Sequence, residues 1–436
     1  MTNAGYISRH GVDTVKFPIF LVLLTVALLP AVAHAISGPR ELADEAVREN
    51  PGIEALRART QALSAIARSV GTWKDPLVGI EYMNAPVDSF RLDRSPMSGL
   101  QFSLQQSLPE WGWSKASKAV AESRVEASRY ATVEAQVQLK RAVEVLFWRL
   151  TQSDLLHRVT RSHLERTQEL LDAVRVRYEV GGVGQNAVLR LGVLRDRLRD
   201  DLGDFERVDR QISAGLNGAL SRPTRNDFDT PDQAVPLPVE GTAVQWLEVA
   251  QQHRPRLMQI REEVLVEEQE AKLARIKTRP EVNVWAKYRL RTVDTPADDG
   301  TDFVSIGVAV PIPWGSRKQG LGQEAAHHEA ERAARARLDA AVDQIEAELH
   351  IAEAAWSRAF EKARTYGERL IPAARATLET TLSDFSVGKA DFASLYESEV
   401  DLLMLENAYI TATIETHIQS ATARSVSGSS DLGESQ

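Results

Sequence analysis

The chain of 436 residues contains no cysteine. That excludes a disulfide framework, a thiolate metal site, a cysteine nucleophile and a lipid-modified N-terminal cysteine. A basic excess is also missing: 52 Lys and Arg stand against 61 Asp and Glu, a net charge of −9. Nucleic-acid binders normally show the opposite balance. Mean hydropathy is low at −0.27, which rules out a polytopic helical membrane protein but leaves a membrane β-barrel open. Proline is absent where a globular domain would use it, with none of the 18 between Pro109 and Pro223. Since proline ends helices and marks turns, that interval reads as long uninterrupted helix.

What is there begins with an export signal. Arg9 and Lys16 precede an apolar run from Phe17 to Val32, followed by Ala33-His34-Ala35. A basic segment, an apolar segment and a small-residue cleavage site make a secretory signal peptide over residues 1–35, leaving Ile36 as the first mature residue. An uncleaved membrane anchor fits less well, because the run is short and carries Pro18 and Pro30.

The rest repeats itself. Asn50-Pro51-Gly52-Ile53 recurs as Arg254-Pro255-Arg256-Leu257, and Asp75-Pro76-Leu77-Val78 as Arg279-Pro280-Glu281-Val282, both 204 residues on. Leu108-Pro109 recurs as Ile312-Pro313 at the same shift, and Tyr178-Glu179-Val180-Gly181 as Phe385-Ser386-Val387-Gly388 at 207. This is the signature of a duplication. The expected units are a first repeat over 36–222, a Pro-rich linker over 223–241, a second repeat over 242–424 and a disordered Ser- and Gly-rich tail over 425–436.

Each half reads in one order. A helix (Arg40–Thr72, then Ala243–Thr278) leads to a strand (Leu77–Asn84, Val282–Leu290), a polar loop and a second strand (Ser98–Leu108, Asp302–Ile312). The strand pairs thus span 77–108 and 281–312. In the second strands Leu100, Phe102 and Leu104 alternate with Gln101, Ser103 and Gln105, and Val304, Ile306 and Val308 with Ser305, Gly307 and Ala309. Strands of about ten residues with one apolar and one small or polar face suit a membrane barrel, though a soluble sheet with one buried face alternates as well. A helical hairpin follows over 113–220 and 315–424. Its first arm, Trp113–Val180, would span ~100 Å at 1.5 Å per residue. In the second arm Leu338, Val342, Ile345, Leu349, Ala352 and Trp356 step by threes and fours, a coiled-coil seam. Pro372 should end or kink that arm.

Four membrane strands leave two unpaired edges, which hydrocarbon does not tolerate, so the chain must share its barrel with other copies. At this point the duplicated order, the strand-exit prolines Pro109 and Pro313, and the turns Arg177-Tyr178-Glu179-Val180-Gly181 and Asp384-Phe385-Ser386-Val387-Gly388 resemble the TolC family of outer-membrane efflux channels. The strand Met97–Leu108, ending Gln105-Gln106-Ser107-Leu108-Pro109, is similar to that of the heavy-metal, CzcC-like branch. The family's glycine-lysine-arginine after the strand proline is replaced here by Trp111-Gly112-Trp113-Ser114-Lys115 and Trp314-Gly315-Ser316-Arg317-Lys318. The resemblance implies a mainly helical chain with membrane strands, assembled as a homotrimer with a shared twelve-stranded β-barrel and a periplasmic coiled-coil tunnel. It implies a passive exit duct for small solutes, such as drugs or heavy-metal cations, in the outer membrane. The implied partners are outer-membrane lipid, a periplasmic adaptor and an inner-membrane pump. Protein export in a type I system, or a periplasmic coiled-coil scaffold, are the alternatives.

The resemblance also carries site residues. Val180, Gly181, Gly182, Val387, Gly388 and Lys389 are the tips that would meet the adaptor, unless they are merely turns. Ser394 and Glu397 fall where the family closes its periplasmic aperture with carboxylates; Asp391 is a fallback, and a solvated helix face is the alternative. Trp73, Trp111, Trp113, Trp285 and Trp314 lie by the strand ends, where an aromatic girdle would meet the membrane interface. Trp148 and Trp356 read as helix packing. No catalytic set, cofactor motif or metal site is legible: His327-His328-Glu329 lacks a second His at the zinc spacing, and Gly181–Gly184 lacks the Lys-Ser/Thr of a phosphate loop. No enzyme activity and no nucleic-acid binding are expected.

Overall fold

A computed structural model describes residues 38–93, 95–223, 226–292 and 300–429. The signal peptide, most of the Arg291–Thr301 loop and the last seven residues lie outside the described residues.

The described residues fold as α1 (Pro39–Glu49), α2 (Pro51–Ser69), β1 (Leu77–Met83), β2 (Gly99–Leu108), α3 (Trp113–Glu179) and α4 (Gln185–Ala219). The same order then recurs as α5 (Ala243–His253), α6 (Pro255–Ile276), β3 (Val282–Leu290), β4 (Phe303–Ala309), α7 (Trp314–Thr365), α8 (Ile371–Ser386) and α9 (Phe392–Ser427). Proline sets several boundaries. The single leading helix expected in each half is in fact two, because a residue before proline is driven out of the helical region. Asn50 and Arg254 accordingly adopt extended backbone, with ψ of 120° and 117°. Asn50 also caps α2 by accepting from the Gly52 amide at 2.8 Å, and its amide donates to the Ala219 carbonyl at 3.0 Å. Strand β4 stops at Ala309, not Ile312, since Pro311 has no N–H for the ladder.

Pro372 neither ends nor breaks the second arm. A five-residue π-helical turn, Tyr366–Leu370, lies between α7 and α8, closed by the Ile371 amide on the Tyr366 carbonyl. A proline ring clashes with the carbonyl one turn before it, and the wider turn relieves that crowding while the helix continues. The first residues of the expected tail also depart from expectation. Helix α9 runs through Ser427, with Ser425 and Ser427 buried, and the adjoining Arg424 pairs with Glu144 on α3.

The strands form one antiparallel sheet in the order β1-β2-β3-β4, so β2 and β3 join the two halves and β1 and β4 are its edges. Among the core clusters that fix the helices, two matter here. One gathers Trp246, Leu257, Ile345, Leu349, Trp356 and Val426; the other gathers Leu171, Val174, Leu191, Phe385, Leu395 and Leu402 from α3, α4, α8 and α9. The connecting segment 226–241 has no regular structure but is tied down. Trp356 Nε1 donates to the Leu237 carbonyl at 2.9 Å, and the Leu237 amide donates to Thr416 Oγ1 at 3.0 Å.

Candidate functional site

The pairing register assigns every strand residue to a face. Paired residues share a face, so Ile80, Phe102 and Tyr288 line up, as do Val78, Leu104, Ala286 and Ile306. On the other face Leu77, Gln105, Trp285 and Gly307 form one row, Gly79, Ser103, Lys287 and Ser305 the next, and Glu81, Gln101, Arg289 and Phe303 a third. One face is thus almost wholly apolar and the other mostly small or polar. The apolar face is open: Ile306 is 81% exposed and Ile80 68%. Gln101 donates to Glu81 at 3.0 Å across the polar face. An apolar sheet face left uncovered demands another apolar medium or a partner.

Trp285 corrects the expected girdle. It lies on the polar face, not the apolar one, because its register partners are Gln105 and Gly307. Its ring lies across Gly307, where a Cβ would meet ring carbon Cζ2 at 2.1 Å, so only glycine fits opposite it. Lys287 Nζ stands 5.2 Å from its ring centroid. Trp111 and Trp314 are 89% and 85% exposed beside the strand exits, Trp73 is exposed and Trp113 half-buried. Those four lie outside the strands, so the sheet register assigns them to neither face.

At the far ends of the long helices the two glycine turns are built alike. Gly181 and Gly388 take φ of 75° and 77°, the left-handed region that favours glycine. In the first turn the Gly182 amide bonds the Arg177 carbonyl at 2.8 Å, and in the second the Lys389 amide bonds the Asp384 carbonyl at 2.8 Å. Gly182 therefore contributes an amide without needing positive φ. Val180, Gly181, Gly182, Val387, Gly388 and Lys389 are all exposed. Arg177 clasps the two turns together, donating to the Ser386 carbonyl at 2.5 Å and stacking 4.5 Å over the Phe385 ring.

Beyond the second turn, Asp391 is a helix cap. Its carboxylate accepts from the Ser394 amide at 2.9 Å, and that backbone bond holds it below the usual carboxylate range. Ser394 and Glu397 are exposed on α9 and line an open groove between α8 and α9 with Asp401 and Met404. Sequence reasoning did not reach a buried charge cluster one turn further along. His163 of α3 places Nδ1 2.6 Å from Glu399 and Nε2 3.0 Å from Glu406, both on α9. Only the residue types could have hinted at it, because the partners stand more than 230 residues apart.

Among the described residues no helix is long and apolar enough to cross a membrane, and no group of His, Asp and Glu is arranged to hold a metal ion. The sequence signature of the outer membrane efflux protein family matches residues 42–190, from α1 through the first glycine turn. No curated protein sequence matches the chain. Solved structures do match. The outer-membrane channel OprN superposes with a TM-score of 0.74 at 15% identity, covering 89% of each chain.

The chain has the fold of the outer-membrane efflux channels.

Two further channel-fold structures support the likeness. The outer membrane protein VceC of Vibrio cholerae matches with a TM-score of 0.73 at 16% identity, over 90% of this chain and 96% of that one. CusC, solved in a study of folding and transmembrane channel formation, matches at 0.72 and 14% identity, over 90% and 92%. The channel fold thus covers both halves of the chain, well beyond the stretch the family signature reaches.

Proposed function

We propose that this protein is the outer-membrane exit duct of a tripartite efflux system, built as a homotrimer. The observation that carries this reading is the four-stranded sheet with an open apolar face and two unpaired edges, β1 and β4. In hydrocarbon an open edge costs several kcal/mol for each unpaired group, and single-chain barrels begin at about eight strands. Pairing β4 of one copy with β1 of the next removes both edges. The antiparallel order keeps that junction antiparallel, and three copies close twelve strands with the polar face inward. Lipid would then meet the apolar face, and the long helices would continue as a tunnel through the periplasm. Solute passes without chemistry, driven by an inner-membrane pump.

The exposed glycine turns are the proposed docking points for a periplasmic adaptor. Exposed main chain at Gly181 and Gly388 beside apolar Val180 and Val387 offers a partner both hydrogen bonds and apolar contact. Glu397, one of the exposed groups of the α8–α9 groove, would form a carboxylate ring in three copies, with Asp401 adjoining it. Small cations, heavy-metal ions among them, are the proposed cargo that such a ring attracts by focusing its field in a narrow mouth. Divalent cations should block Glu397→Gln channels in planar bilayers less than the parent; equal block removes the ring.

Because the chain has no cysteine, the duct is tested by adding a pair. Cysteines placed at Ile80 of β1 and Ile306 of β4 should cross-link neighbouring copies into a covalent trimer in outer-membrane fractions. Recovery of soluble, uncross-linked monomer from the periplasm would sink the duct and favour a scaffold.

A further inference from the structure

The seam between α3 and α9 is apolar near the glycine turns, where Leu170, Leu171 and Val174 meet Leu395 and Leu402. It is interrupted by ions. His163 takes a core position on α3 and Glu399 one on α9, with the half-buried Glu406 one heptad on at the seam's edge. His163 and Glu399 are each about 1% exposed. The far oxygens of the same carboxylates are held from two sides: Arg166 of α3 stands 3.3 Å from Glu399, and Arg375 of α8 stands 2.9 Å from Glu406. Five groups from three helices therefore share one site.

Its geometry dictates a protonation state. Each ring nitrogen of His163 faces a carboxyl oxygen, and an ionised carboxylate is an acceptor only, so beside two ionised carboxylates both nitrogens donate. Only imidazolium has two N–H groups. A neutral ring would aim a lone pair at one carboxylate and leave that buried charge uncompensated, an expensive arrangement. Burial alone would lower the His163 pKa, but the bonds to Glu399 and Glu406 outweigh it and hold the ring above its ordinary value. Glu406, pushed up by burial, is held below its usual range by His163 and Arg375.

The cluster adjoins the one irregular turn in the second arm. Arg375 lies five residues past the π-helical segment Tyr366–Leu370. Gly367 in that segment sits against Tyr409 of α9, where a Cβ would meet the ring at 2.9 Å, so the turn itself packs on the helix that carries the carboxylates. The first half has no counterpart, since the positions 207 residues before Glu399 and Glu406 are Gly192 and Arg199.

We propose that protonated His163 pins the second hairpin to α3, and that loss of its proton as pH rises frees α8 and the start of α9 to move about the π-turn. This device does not depend on the duct reading, because it concerns packing within one chain. The charged groups facing the ring are Glu399 and Glu406 from α9; Arg166 and Arg375 act through those carboxylates and keep their charge throughout. Hence the switch has one titrating member in the alkaline direction. The rival account, a buried ion pair that merely fixes the register of two helices, makes no demand on pH.

Hydrogen exchange by mass spectrometry on the full protein in detergent separates the two. With rates normalised for intrinsic exchange, peptides over 371–386 and 392–406 should lose roughly tenfold or more of their protection between pH 6 and pH 8.5. A peptide over 243–253, from the other core, should not change. In His163→Gln those two segments should be unprotected at both pH values. Should that variant fail to fold, Glu406→Gln serves instead: a neutral ring can accept from the new amide, so the pH step should shift downward. Protection that is flat with pH in the parent, or a step left unmoved in Glu406→Gln, would overturn the proposal.

Discussion

Two histidines lie in the contact between α3 and its neighbours, in regions that treat them oppositely. Near the glycine turns His163 is clamped between two carboxylates and must carry a proton. In the later part of α9, His417 stacks on Trp148 at 3.7 Å and donates Nε2–H to the Val235 carbonyl at 2.9 Å. There burial pushes its pKa down to about 4. The first region holds its helices with ions, the second with aromatic packing and a strapped linker. Charge makes the first responsive to conditions, and packing makes the second indifferent to them except at low pH.

The largest effect should come from unpacking the second region. Trp356 is fully buried, stacks on Trp246 at a centroid distance of 6.0 Å and bonds the linker through Leu237. Trp356→Ala should cost about 3–5 kcal/mol in denaturant unfolding of the detergent-purified protein. A loss under 1 kcal/mol would mean the linker is not the strap described here. The two histidines should next give opposite pH slopes. For His417 the folded pKa lies below the unfolded value, so the unfolded chain binds the extra proton. Stability is full above about 6.5 and should fall by about 3 kcal/mol by pH 4. His417→Gln should flatten that acid limb. His163 works the other way: its contribution is complete below the unfolded value and fades as pH rises through its raised folded one.

At the tips, Gly181→Trp and Gly388→Trp should cost only about 1–2 kcal/mol each, the strain of a left-handed backbone with open space around the Cβ. Both should still assemble, while export in cells fails if the turns dock a partner; normal export by both would remove that role. Smallest of all is Pro372→Ala. With the π-turn already accommodating the ring, thermal unfolding should move by the equivalent of under about 1 kcal/mol, and a larger change would show that proline holds the turn open.

Much of this was legible in the residues. Alternation in Leu100–Gln105 and Val304–Ala309 named the two strand faces, and glycine after an apolar residue marked both helix reversals. The proline-free interval announced α3 and α4. What escaped were features that depend on a neighbour. Trp285 could be put on a face only once β3 was registered against Gln105 and Gly307, because a one-residue slip reverses every side chain. That Asp391 caps α9 rests on one hydrogen bond, to the Ser394 amide, which the sequence pattern did not single out. His163 was invisible for a simpler reason, since its partners come from the other half of the chain.

The π-turn has a further consequence, which concerns ancestry. Between the strand-exit prolines and the glycine turns the offset of the two halves grows from 204 to 207 residues. The later copy is therefore three residues longer over that arm, and the wide turn lies inside the lengthened stretch. A turn closed five residues on holds one residue more than an α-helical turn, so it takes up one of the three while the helix continues. The two copies therefore differ in length in the arm that carries the ion cluster's neighbour, the π-turn. The length difference thus falls in the arm of the second hairpin, while the strand landmarks of the two halves keep the single offset of 204.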